Sequence, residues 1–143
     1  VAIQGVQFNV ADSKEIRRFL EGLDPRTQAS VSAVVLEKIA NATAADAKLN
    51  RIVRGRPLTA KALPNKLTWR SGDLTNSIAV DPSGGPTRQI VGSRMEYAAV
   101  HEQGIRPFKR RPYFEPAAVF VVKTKAPKYF RRALERLRAG QKP

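Results

Sequence analysis

Apolar positions recur at helical spacing over the longest patterned stretch of the chain: Val31, Val34, Val35, Leu36, Ile39, Ala42, Leu49, Ile52 and Val53. Asp24-Pro25 just ahead of them supplies an N-cap and then a proline at the first helical position, where its missing N–H costs nothing. Gly55 and Pro57 supply the stop. The spacing predicts one helix from Pro25 to Arg54, about 45 Å long at roughly 1.5 Å per residue. An apolar stripe of that length needs a sheet to cover it. Upstream, Val6, Phe8 and Val10 alternate while Ile3 falls out of phase across Gly5, which predicts a strand-like arm over 1–10 with a bend or bulge. Asp12 or Ser13 can cap a short helix that runs to Leu20 and ends at Gly22.

Beyond the long helix, Arg56 to Asn65 contains two prolines and reads as an extended connection. Ser71 can cap a short helical turn through Ser77. Ile78 to Val80, the turn-forming run from Asp81 to Pro86, and Arg88 to Gly92 predict an antiparallel hairpin. Met95 to Gln103 predicts an amphipathic helix ending at Gly104, with Tyr97, Ala98 and Val100 inward. Residues 106–114 form a basic, proline-punctuated arm. Pro116 can open a further helix, although Phe120, Val121 and Val122 are also good strand formers. Over 128–139, Phe130, Leu134 and Leu137 share one face of a basic amphipathic helix. The whole reads as a single α+β domain over 1–143, in which a long helix in the N-terminal half packs on a small antiparallel sheet and a basic helix closes the chain.

Composition narrows the chemistry. The chain has no cysteine, which removes disulfides, thiolate metal sites and a cysteine nucleophile. Its longest apolar runs fall far short of the roughly 20 residues that cross a bilayer, and Val1 to Val10 lacks the form of a signal peptide, so no membrane association is expected. Charge points elsewhere: 26 basic against 12 acidic residues give +14, and +10 of it lies between Arg106 and Pro143. Such a surface attracts polyanions, either nucleic acid or acidic protein.

Enzymatic readings are weak. Ser71-Gly72-Asp73-Leu74 has one glycine and no Gly-Lys-Ser/Thr, too little for a phosphate loop. His101, the chain's one histidine, lies beside Glu102 on a helix, where neighbours point about 100° apart, and no partner completes a nucleophile or metal set. Asp73, Glu96, Glu102 and Glu115 show no spacing that selects a carboxylate pair. No catalytic, cofactor or metal residue is assigned. The segment from Arg106 to Phe114 interleaves cations with aromatic rings, which suits either base stacking or a subunit interface. Arg106, Phe108, Arg110, Arg111, Tyr113, Phe114 and Trp69 are the candidate interface residues. Lys128, Arg131, Arg132, Arg136 and Arg138 are the candidate DNA-facing ones.

One order of short signals joins these pieces. Ser71-Gly72-Asp73-Leu74-Thr75-Asn76-Ser77-Ile78 is followed by Val91-Gly92, Tyr97-Ala98, Glu102-Gln103-Gly104 and Arg111-Pro112-Tyr113-Phe114-Glu115-Pro116-Ala117. Over Arg70 to Ala118 this resembles the tail-completion proteins of tailed bacteriophages, also described as minor tail or virion-morphogenesis proteins, with Tyr113 where the pattern usually has phenylalanine. The resemblance implies a non-enzymatic virion protein, assembled in the host cytoplasm, that forms a homo-oligomeric ring, expected as a hexamer. It would join head to tail, contact head-connector and tail proteins, and surround the genomic DNA without sequence preference. It also implies structural roles for Gly72, Leu74 and Gly104. The alternative is a free nucleic-acid-binding protein that uses its basic C-terminal region.

Overall fold

The computed structural model describes residues 4–9, 14–53, 67–68, 72–81, 83, 88–107 and 109–143. Among them, β1 (Gln4–Asn9) is followed by α1 (Lys14–Leu20) and α2 (Pro25–Asp46). A π-helical turn, Ala47–Arg51, leads into β2 (Ile52–Val53), and β3 (Leu67–Thr68) pairs with β2 in parallel. Then come α3 (Asp73–Ser77), β4 (Ala79–Asp81), β5 (Arg88–Ser93), α4 (Glu96–Gln103), α5 (Phe114–Thr124) and α6 (Ala126–Arg138). The architecture is α+β, with α2 packed against β5 and β4 of an antiparallel sheet of order β1-β5-β4 and against α5 and α6, and with α5 also touching β1. No described helix is long and apolar enough to cross a membrane.

Local chemistry starts α2 as the sequence suggests. The Asp24 carboxylate accepts the Thr27 N–H at 3.0 Å and the Thr27 hydroxyl, and these bonds hold its pKa below the ordinary carboxylate value. Val31, Val35, Leu36 and Ile39 are fully buried along one face. The helix does not continue to Arg54. Asp46 is buried and pairs with the Arg51 Nε at 2.7 Å and the Asn50 Nδ2 at 2.7 Å, and the five-residue step from Asp46 to Arg51 matches the i to i+5 period of the π turn. That wider turn rotates Leu49 out of the apolar stripe, leaving it 64% exposed instead of inward, and Ile52 is buried as a strand residue. The Arg51 guanidinium then lies 5.5 Å over the Phe120 ring, tying the end of α2 to α5.

The hairpin lies where it is expected, with Ala79 opposite Gly92 and Asp81 opposite Ile90. β1 completes the sheet on the far side of β5 in unbroken one-to-one register from Gln4–Ser93 to Asn9–Arg88, so its described residues contain no bulge. Gly5 faces Gly92, and a Cβ at Gly5 would sit 1.9 Å from the Val91 carbonyl oxygen. The two backbones approach too closely there for any side chain. Val1 to Ile3, Val10, the proposed caps at Asp12, Ser13 and Ser71, the Arg56 to Asn65 connection and most of the Asp81 to Pro86 turn lie outside the described residues.

At the C-terminal end, α5 begins at Phe114, ahead of Pro116, and Phe120 to Val122 are helical. Pro127 sits in the first turn of α6. Phe130 and Ala133 are buried, with Leu137 packed against the same core, and the Phe130 ring stacks on Phe19 of α1 at 5.0 Å. In α4, Ala98 is buried but Tyr97 is 39% exposed, with its ring edge-on to His101 at 6.1 Å.

Candidate assembly framework and basic surface

Two polar joints gather the scattered short motifs. At the first, the Ser77 hydroxyl meets the Ser93 hydroxyl at 2.6 Å and donates to the Leu74 carbonyl at 2.7 Å. With its one proton so placed, Ser77 accepts from Ser93, whose oxygen in turn accepts the Met95 N–H at 3.0 Å. This chain of bonds links the end of α3, the end of β5 and the start of α4. Gly72 stands ahead of α3 in the left-handed region, at φ 85°, with no side-chain cap, and Leu74 packs on the core.

The second joint belongs to Glu102. Its Oε2 accepts the N–H groups of Tyr113 at 2.8 Å and Phe114 at 3.0 Å, and its Oε1 accepts that of Glu115 at 2.8 Å. These are orphan donors at the start of α5, where the positive end of the helix dipole favours a carboxylate. α5 has no side-chain cap from its own N-cap residue, so α4 supplies one. The intervening loop is fixed by the same turn: the Arg111 N–H donates to the His101 carbonyl at 2.8 Å, and the Arg110 Nε to the Glu102 carbonyl at 3.0 Å. Gly104 caps α4 at φ 72°, and a Cβ there would meet the Arg110 backbone at 2.8 Å.

This geometry changes the role of the arm. Tyr113 and Phe114 are 0% and 1% exposed, with ring centroids 4.3 Å apart, and belong to the chain's own core. Neither ring is available to a neighbouring subunit. Burial first, then the Glu102 carboxylate and Tyr97, push the Tyr113 hydroxyl far above its ordinary pKa, and the hydroxyl points at the Ala98 carbonyl from 3.4 Å. Arg111 is half-buried. Arg110 is exposed but ion-paired with Glu115, and Arg106 is exposed. Phe108 and Trp69 lie outside the described residues.

On α6, Lys128, Arg131, Arg132, Arg136 and Arg138 are all exposed, with Glu135 among them. They form a cationic face opposite buried Phe130. Among the described residues, no three His, Asp or Glu side chains stand close enough together to hold a metal ion. Sequence spacing does not separate Glu102 from Asp73, Glu96 and Glu115, because its capping role depends on a contact between two helices. Nor do the sequence expectations include the exposure of Val119 and Phe120, at 48% and 40%. A signal for the latter existed, because α5 is apolar on nearly every side and such a helix has a face to cover beyond its own core.

No family model matches the chain, and neither a curated protein nor a solved structure does.

Proposed function

We propose that the chain is a structural protein of a tailed-phage virion, a tail-completion or neck component that oligomerises as a ring joining head to tail. The observation that carries this reading is the use made of the motif residues. Ser77 and Glu102 hold α3, β5, α4 and α5 together by hydrogen bonds, and the glycine of the Glu-x-Gly motif lets the loop fold back on α4. Polar groups engaged in this way build a rigid frame, as an assembly protein requires. The α6 cations suit a passage for duplex DNA, since phosphate contacts hold DNA without reading its sequence. Subunit contacts then fall to the outward part of the arm, Arg106, Lys109 and Arg110, together with Phe108 and Trp69, and no longer to Tyr113 and Phe114.

The five exposed α6 cations also favour a second reading, a free nucleic-acid-binding protein. Light scattering over a salt series, with and without duplex DNA, separates the two. The neck reading expects a defined oligomer that persists at high salt without DNA and binds DNA weakly and without sequence preference. A monomer that binds one DNA sequence tightly at physiological salt would overturn it.

A further inference from the structure

α1, α5 and α6 enclose a half-open apolar groove of about 740 Å³, lined by Phe19, Val119, Val122 and Phe130 with Arg18 and Lys123 as its charged members. Arg18 and Lys123 are exposed, and neither makes an ion pair among the described residues. Val119 is 48% exposed and also lines a shallower depression beside Phe120 and Arg51, so an apolar ridge crosses α5 from one recess to the other. We infer that this groove is a docking site for an acidic amphipathic helix of another protein. The inference stands independently of the neck reading.

Charge selects the occupant. An apolar floor between helices receives apolar side chains at i, i+3, i+4 and i+7, and the two exposed cations, without an ion pair among the described residues, favour carboxylates beside them. A second copy of the chain offers no such helix among the described residues. Only α4, of the helices with eight or more residues, has more acids than bases, and one of its two, Glu102, already holds the start of α5. The rest of a second copy brings a surplus of positive charge to a positive rim. Nucleic acid would find phosphate partners on α6 and gain nothing from an apolar floor.

The probe is a fluorescein-labelled helical peptide with leucine at those spacings and glutamate elsewhere, titrated with the full chain and followed by anisotropy. Saturable binding is expected, with no binding of a scrambled or lysine-for-glutamate peptide. Val119→Glu, at an exposed position, should leave the denaturation midpoint in place and weaken binding about tenfold or more. Arg18→Glu with Lys123→Glu should transfer the preference to the lysine peptide. The inference is overturned by absent binding, by equal binding of the scrambled peptide, or by indifference to Val119→Glu. It is equally overturned if Val119→Glu abolishes binding to duplex DNA or phosphatidylglycerol vesicles while leaving the peptide unaffected.

Discussion

Glu102 and Tyr113, eleven positions apart, are joined by a hydrogen bond of 2.8 Å from the Tyr113 N–H to the Glu102 carboxylate, which also holds the next two N–H groups of α5. The bond makes the last turn of α4 the cap of α5. Replacing Glu102 with alanine orphans three donors and should lower stability by about 2 kcal/mol or more, with Glu102→Gln falling in between. Urea denaturation measures it. An unchanged midpoint would show that the cap contributes nothing to stability.

Tyr113 ties stability to alkaline pH. Its folded-state pKa lies above the ordinary 10.0, because burial and then the Glu102 carboxylate oppose the phenolate. The unfolded chain therefore loses this proton first as pH rises. The contribution is fully present below pH 10.0 and lost above it. Tyr113→Phe gives up only a long hydrogen bond, so it should be nearly neutral at pH 7 and should flatten the alkaline fall in stability. Tyr113→Ala should cost about 3–5 kcal/mol at any pH, as truncations of buried aromatic side chains do. Denaturation midpoints across an alkaline pH series for the three proteins check both statements.

Gly5 sets the fit of β1 on β5. A methyl group there would overlap the Val91 carbonyl and the Gly92 backbone, so Gly5→Ala should destabilise by about 2 kcal/mol. Hydrogen exchange should show the loss concentrated in β1 and β5. A uniform change across the chain would mean that the contact is relieved elsewhere.

What was legible in the chain follows from how local each cause is. Asp24-Pro25 and the β4–β5 hairpin are readable because their partners lie close along the chain, three residues apart for Asp24 and Thr27 and 9 to 13 for the hairpin pairs. The π turn was hidden because Asp46 and Arg51 follow a period of five where the apolar pattern invites an extension at 3.6. The placement of β1 beside β5 depends on a pairing across most of the chain. The burial of Tyr113 and Phe114 is hidden for a different reason. They follow Lys109, Arg110 and Arg111, whose charge suggests a solvated arm, while the cap that draws them inward comes from Glu102 in another helix.

Replacing Arg131, Arg132, Arg136 and Arg138 with alanine removes exposed charges and should leave the denaturation midpoint within about 0.5 kcal/mol per site. If α6 faces DNA, the same variant should bind duplex DNA more weakly at every sequence and reduce the log–log salt slope by up to about 4. Filter binding at several salt concentrations reads both. A slope identical to that of the unaltered chain would place the DNA-facing surface elsewhere.

We propose that this frame is a subunit of a ring, and negative-stain imaging of the purified chain at high salt, paired with its mass in solution, reads that assembly out. Closed particles of one stoichiometry are expected, with a central channel wide enough for duplex DNA, lost in Arg106→Glu with Lys109→Glu while the fold survives. Monomers at every concentration, or open chains of indefinite length, would contradict it.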